Sequence, residues 1–184
     1  MNTCEQSIEI HDLALPGLKV LVPKIFEDHR GYFLESCRDE ILKAAGIDCT
    51  FVQDNRAMSK KGTIRGMHFQ NSPGQAKLVS VAKGKIYDVA VDIRKDSPTF
   101  GRWFAVFLDD VEHKSLFIPA GFAHGYCVLS DEAIVTYKVS NYYDPKEERG
   151  FRYDDPEVGI SWPIAHVVVS DRDLASPSLR KILG

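Results

Sequence analysis

The chain has 184 residues, 44% hydrophobic and 27% charged, the balance of a soluble globular protein long enough to bury a core without disulfides. Its formal net charge of −3 leaves no basic footprint of the kind that nucleic-acid binding requires. No tandem repeat or low-complexity linker divides the sequence, so one domain over residues 1–184 is expected.

Residues 1–17 form a weakly patterned arm that ends in the Pro16-Gly17 turn. Leu18 to Val22 reads as a strand closed by Pro23. The Asp28-His-Arg-Gly31 turn then returns the chain as a second strand, Tyr32 to Ser36. Ser36, with Asp39 three residues on, has the form of a capping box, which predicts a helix from Arg38 to Ala45 stopped by Gly46. From Thr50 the signal is almost wholly β. Phe51 to Asn55 leads through Lys60-Lys-Gly62 into the stretch Ile64 to Gln70. There Ile64, Gly66, His68 and Gln70 alternate with Arg65, Met67 and Phe69, so a regular strand puts Arg65 and His68 on opposite faces. The two can share a pocket only if the backbone bulges, and Gly66 is the residue that tolerates a bulge.

After the Asn71-Ser-Pro-Gly74 turn, Lys77 to Ala82 and Lys85 to Ile93 flank Gly84 and read as a hairpin. Alternation sets Val89, Val91 and Ile93 against Asp88, Ala90 and Asp92, which suits a polar strand face. A strand from Arg102 to Leu108 follows, then a second hairpin of Ser115 to Pro119 with Tyr126 to Leu129, and a strand from Ala133 to Val139. The tail is rich in loops, with one short helix expected within Ser176 to Leu183. Many short strands punctuated by Gly and Pro predict an all-β sandwich or barrel with few helices.

Cys4, Cys37, Cys49 and Cys127 are scattered without a Cys-x-x-Cys pair, which favours reduced thiols over a disulfide framework or zinc site, with Cys127 in the core. No basic-then-apolar leader is seen, and no run approaches the ~18 apolar residues of a membrane span, so a soluble, cytoplasmic chain is expected.

Two spacings resemble the signature motifs of the cupin superfamily, a jelly roll or double-stranded β-helix. Gly62 is followed at the motif's intervals by His68, Gln70, Lys77 and Gly84, and Pro119-Ala-Gly-Phe-Ala-His124 matches the second motif. Metal-binding cupins use three His and one carboxylate at these places. Here Gln70 and Lys77 stand at two of them, and an ammonium repels a divalent cation while offering only hydrogen donors. A pocket without metal or cofactor is therefore expected. In such a pocket a histidine is a competent base for a carbon acid, Lys77 or His124 can hold the enolate oxygen, and a tyrosine such as Tyr137 stays protonated and can return the proton.

With these features the chain resembles the dTDP-4-dehydrorhamnose 3,5-epimerase family of cupins. The likeness runs through ordered blocks: Asp28-His-Arg-Gly-Tyr-Phe-Leu-Glu35, Gln53-Asp-Asn55, Arg65-Gly-Met-His-Phe-Gln70, Lys77-Leu-Val, Pro119 to Gly125, Tyr137-Lys138, Tyr142-Tyr143, Ile160-Ser-Trp-Pro163 and Ser170-Asp-Arg-Asp173. The resemblance implies His68 as base, Asp173 as the carboxylate that orients it, Tyr137 as acid and Lys77 as the enolate-stabilising cation. It places Arg65 and His124 at the sugar and phosphate end and Tyr143 against the thymine ring. It also gives Arg30, Glu35, Gln53, Asp54, Asn55, Glu148 and Arg172 contacts to a dTDP-linked 4-keto-6-deoxy sugar. It further implies a homodimer whose N-terminal strands reach the neighbouring site, so that Arg30, Phe33 and Glu35 act across the interface. The Asn71 to Ala76 turn is a residue shorter than in some members.

Other readings remain open at this stage. These are an epimerase of one carbon only, a metal-dependent cupin, which Lys77 opposes, and a non-catalytic cupin, which would be expected to lose His68 or Tyr137. Taken singly, Tyr142-Tyr143 also reads as a core pair, and Asp173 as a loop cap.

Overall fold

The computed structural model describes residues 7–183. Its elements run β1 Ile8–Asp12, β2 Lys19–Pro23, β3 Ile25–Asp28, β4 Gly31–Leu34, α1 Asp39–Ala44, β5 Gln53–Lys60 and β6 Ile64–Gln70. They continue with β7 Lys77–Lys83, β8 Lys85–Asp92, β9 Trp103–Asp109, β10 Ser115–Ile118, β11 Phe122–Val128, β12 Glu132–Val139, β13 Glu148–Gly150, α2 Asp171–Leu174 and α3 Leu179–Leu183. A six-stranded sheet in the order β1-β2-β10-β7-β12-β5 faces a five-stranded sheet in the order β13-β6-β11-β8-β9, and β3 and β4 pair as a separate ribbon. All the ladders are antiparallel. From β5 onward the chain alternates between sheets at nearly every connection, which is the winding of a cupin-type jelly roll.

That winding corrects both expected hairpins. β7 and β8 do not pair across Gly84, and β10 and β11 do not pair across Pro119; each connection turns a corner from one sheet to the other. A hairpin would have left an apolar face of each ribbon uncovered. In facing sheets, Val79, Val81, Leu116 and Val135 instead pack against Ile86, Ala90, Leu108 and Phe122. A second cluster lies on the outer face of the five-stranded sheet. There the C-terminal tail lays Phe151, Val158, Ile160 and Leu179 over Met67, Val89 and Val91. A third lies outside the six-stranded sheet, where Leu42 and Ile47 cover Leu21, Leu78 and Phe117. β8 is therefore buried on both faces, and Asp88 and Asp92 line its inner face with no exposure rather than a solvated edge.

Other differences are local. The weakly patterned arm contains β1, whose alternating Ile8 and Ile10 are recruited by pairing with β2, while Cys4 and the rest of residues 1–6 lie outside the described residues. Arg38, not Ser36, occupies the N-cap of α1, and no side chain caps the helix. Gly46 follows the helix at φ +77° and closes it as expected. β11 begins at Phe122, earlier than its sequence signal, because β6 and β8 pair with it on both sides. Cys127 is fully buried, and Cys37, Cys49 and Cys127 are free thiols. No helix among the described residues is long and apolar enough to cross a membrane.

The bulge in β6 decides which side chains enter the sandwich. Between the pairs His124↔His68 and Tyr126↔Arg65 the register shifts, with one more residue on β6 than on β11. Gly66 sits in the shift at φ +118°, and a Cβ there would lie 2.6 Å from Gly125 Cα and 2.7 Å from His124 O. Arg65 and His68 consequently face one cavity, while Met67 and Phe69 face the outer cluster. Gly66→Ala is expected to cost about 3 kcal/mol or more, because backbone must move. Gly46→Ala, with no atom within 4 Å of the added carbon, is expected to cost only about 1 kcal/mol of backbone strain. Urea unfolding of the two variants measures the contrast.

Candidate active site

A cavity of about 620 Å³ opens at one end of the sandwich. Inward positions of β5, β7 and β12 give it Gln53, Asn55, Lys77 and Tyr137 from the six-stranded sheet. The five-stranded sheet contributes Arg65, His68, His124, Tyr126 and Glu148. The tail closes the mouth. Ile64 N donates to Val168 O at 2.9 Å and Val168 N donates to Gly62 O at 2.8 Å, which carries α2 to the rim. Ser170 Oγ caps α2 by accepting from Asp173 N at 3.1 Å.

Asp173 is thereby set behind His68. His68 Nε2 lies 2.7 Å from Asp173 Oδ1, and Asp173 Oδ2 accepts from Gly66 N at 3.4 Å. Burial pushes the Asp173 carboxyl up, but the His68 ring, the Gly66 N–H and Ser170 outweigh it and hold it below the ordinary carboxylate range. An ionised carboxylate only accepts, so Nε2 carries the hydrogen and Nδ1 of a neutral ring keeps the lone pair that a base needs.

A second imidazole–carboxylate pair stands beside the first. His124 is the direct cross-strand partner of His68, and its Nε2 lies 2.5 Å from Asp88 Oδ1. Burial pushes His124 down more than Asp88 pulls it up, so the ring is neutral at pH 7. Asp88 Oδ2 is buried without a hydrogen-bond partner. Lys77, also buried, feels Asp88 and Glu148 through space, yet desolvation dominates and its ammonium is pushed down to about 8. On the wall facing His68, Tyr137 pairs with Asn55 of β5 and Val79 of β7, one position along from Lys77 on the same face. Burial pushes the phenol up, against the pull of Arg65, so it remains protonated at neutral pH.

At the rim, Glu148 Oε2 accepts from Tyr143 OH at 2.9 Å and from Arg172 Nη2 at 2.5 Å. Burial works against the Glu148 charge, but Arg172 and Tyr143 prevail and keep it ionised. Tyr142 and Tyr143 are 70% and 52% exposed, so they do not form a core pair. Arg65 Nε donates to Ser59 Oγ at 2.9 Å, which seats the guanidinium on the cavity wall.

Eleven of the fifteen residues expected from sequence line this cavity. Asp54 does not, because it alternates with Gln53 and Asn55 and so faces out of the sandwich, where Lys138 Nζ bonds it at 2.9 and 3.0 Å. Arg30, Phe33 and Glu35 also lie outside it. Arg30 pairs with Asp28, and Glu35 accepts from Arg38 and Ser7. Phe33 is exposed on the β3–β4 ribbon. Asp88, read from sequence as part of a polar face, is instead buried behind the site, where it holds His124 Nε2. Nothing in its alternation distinguishes a buried inner face from a solvated one. Asp173 had a local signal, since Ser170-x-x-Asp173 has the pattern of a capped helix start.

The positions that hold a cation in metal-binding cupins do not fit one here. Nε2 of each histidine is engaged by a carboxylate, Gln70 bonds the backbone of Tyr142 and Asp144, and Lys77 presents an ammonium. Among the described residues no cluster of three or more His, Cys, Asp or Glu side chains could hold a metal ion. Fold and site together define a cupin whose ligand positions are rebuilt into a pocket of carboxylate-bound imidazoles, an amide and a buried ammonium.

Residues 12–181 match the family model for dTDP-4-dehydrorhamnose 3,5-epimerase. The chain is 44% identical to the enzyme of that name from Methanothermobacter thermautotrophicus, over 91% of this chain and 92% of the relative. It is 45% identical to the Salmonella typhimurium enzyme, over 92% and 94%. Its fold superposes with a TM-score of 0.93 on a dTDP-6-deoxy-D-glucose-3,5-epimerase from Legionella pneumophila in complex with dTDP-4-keto-L-rhamnose, 44% identical over 95% and 94% of the two chains. A 3'-monoepimerase from Streptomyces bikiniensis, in complex with dTDP-quinovose, superposes at 0.87 with 38% identity over 92% and 87%. The chain belongs to the dTDP-4-dehydrorhamnose 3,5-epimerase family.

The depressed ammonium gives a pH signature. Lys77 binds its proton more weakly folded than unfolded, so between about pH 8 and 10.5 the unfolded chain holds more protons and stability rises with pH. The stabilisation is complete above the unfolded value and is lost as pH falls through about 8. Lys77→Met is expected to remove this rise, on the order of 3 kcal/mol, from the difference between unfolding measurements at pH 7.5 and 10.5.

Proposed function

We propose that the chain epimerises dTDP-4-dehydro-6-deoxy-D-glucose to dTDP-4-dehydro-L-rhamnose by metal-free proton transfer at the carbons flanking the 4-keto group. The observation that supports this reading is that an imidazole–carboxylate pair and a phenol stand on opposite walls of the cavity. The His68–Asp173 pair projects from one sheet and Tyr137 from the other. His68 Nδ1 takes the proton α to the carbonyl, and the electron pair moves onto the carbonyl oxygen. Lys77 stabilises that oxyanion in a cavity where desolvation makes the cation crave an anion, whereas neutral His124, its one N–H turned to Asp88, has no donor to offer it. Tyr137 returns a proton to the opposite face of the carbon, which inverts it. The sugar nucleotide is held by Arg65, Gln53, Asn55, Glu148 and Arg172, with Tyr143 stacked on the base.

The protein works in the cytoplasm as a homodimer. Free thiols at Cys37, Cys49 and Cys127 suit a reducing compartment. The β3–β4 ribbon exposes Phe26, Tyr32 and Phe33 beside Arg30, an apolar surface ready for a second copy and for that copy's ligand. Arg30, Phe33 and Glu35 act across that interface rather than in their own cavity.

Incubation with dTDP-4-keto-6-deoxyglucose in deuterated water, followed by NMR, tests the reaction. Exchange at carbons 3 and 5 is expected; exchange at one carbon identifies a monoepimerase, and none refutes the reading. His68→Ala should abolish exchange while retaining dTDP binding, whereas Tyr137→Phe should impair inversion more than proton wash-out. For the assembly, Phe33→Asp is expected to shift the sedimentation coefficient from dimer to monomer. A monomeric parent protein contradicts the dimer.

A further inference from the structure

Beyond the proton-transfer groups, side-chain bonding around the cavity concentrates on the loop that carries Tyr143. Gln70, only 7% exposed at the end of β6, engages this loop twice. Its Nε2 donates to Tyr142 O at 3.3 Å, and its Oε1 accepts from Asp144 N at 3.1 Å. From the opposite sheet, Gln53 Oε1 accepts from Tyr143 N at 3.2 Å while its Nε2 donates to Asn55 Oδ1 at 2.9 Å. Two primary amides, one from each sheet, therefore grip three consecutive residues. The base of the loop is stitched to the Asn71 to Ala76 turn, with Gln75 Nε2 donating to Asn141 O at 2.8 Å and Asn141 Nδ2 to Gly74 O at 2.6 Å.

A primary amide suits this task because it offers a donor and an acceptor in one plane, and so can satisfy a carbonyl and an N–H two residues apart. Buried as it is, Gln70 has no water to replace these bonds, and losing the amide would release both loop groups. Tyr143 itself is half-exposed at the rim, with its hydroxyl already tied to Glu148. A ring fixed at backbone and hydroxyl, with its face still open, loses little conformational freedom when a flat ligand lies on it.

We propose that Gln70 is a positioning residue for nucleotide recognition: with Gln53 it presets the 142–144 loop so that Tyr143 is a rigid platform for a heteroaromatic base. The inference rests on the reading of Tyr143 as the base-stacking residue. The place where metal-binding cupins put an imidazole ligand becomes the anchor of the base-binding loop, and its role is affinity rather than proton transfer.

Calorimetric titration with dTDP of the parent protein, Gln70→Leu, Tyr143→Ala and the double variant tests this. Gln70→Leu is expected to weaken binding on the order of ten-fold, and that loss should vanish in the Tyr143→Ala background, since one acts through the other. Proton wash-out at saturating substrate should stay within about two-fold for Gln70→Leu, so that the effect falls on KM rather than kcat. Gln70→Glu keeps the acceptor for Asp144 N and lacks the donor to Tyr142 O; it should weaken binding by an intermediate amount, and its own cycle with Tyr143→Ala decides if Gln70→Leu does not fold. Unchanged dTDP affinity, or an equal loss with and without Tyr143, overturns the role of Gln70 and leaves the stacking reading intact. If Tyr143→Ala alone binds dTDP as tightly as the parent, the stacking reading fails and the inference with it.

Discussion

Between β6 and β11 two backbones meet at Gly66 and Gly125 with no room for a side chain on either. A Cβ on Gly125 would stand 2.6 Å from Met67 Sδ and 2.8 Å from Arg65 O, as one on Gly66 would strike Gly125. This close approach permits the extra residue in β6. The extra residue turns Arg65 and His68 to the same side, and that side is the cavity. It also brings the Gly66 N–H to Asp173, so the feature that aims the imidazole contributes a bond to the carboxylate behind it.

The charges of the site are arranged around that aim. Asp173 and Asp88 each hold one imidazole by Nε2, and Glu148 holds Arg172 and Tyr143. Lys77 feels its carboxylates only through space, and burial weakens its hold on a proton. A buried cation of this kind is poorly solvated before the reaction and gains most when negative charge develops beside it. The protonated phenol of Tyr137 on the facing sheet supplies the complementary group. Both depend on the jelly-roll winding, because consecutive strands must change sheets for the imidazole and the phenol to look at each other across a sandwich.

Much of this was legible along the chain. The strand content, the bulge at Gly66 and the cupin spacing of His68, Gln70, Lys77 and His124 are local or evenly spaced signals. The roles proposed for Asp173 and Tyr143 came only through resemblance, since an aspartate in a polar tail and a tyrosine pair carry no chemistry of their own. What misled was pairing. Lys77 to Ala82 and Lys85 to Ile93 look like a hairpin because a glycine separates two apolar runs, and the same signal marks a corner between sheets. Asp54 was grouped with Gln53 and Asn55 because they are contiguous, although a strand sends neighbours to opposite faces.

By itself the sequence determined the predominance of short strands and the misfit of a cation at the cupin positions, and it put forward His68 and Tyr137 as candidates for proton transfer. Those follow from residue chemistry and from spacing along a few strands. The tertiary structure alone decided that Asp88 is a buried partner of His124 rather than part of a solvated face, and that Gln70 anchors the Tyr143 loop. It also decided that the tail returns through Val168 to set Asp173 behind His68. Each of these joins residues distant in sequence, and alternation along a strand tells which residues share a face but not what the face meets.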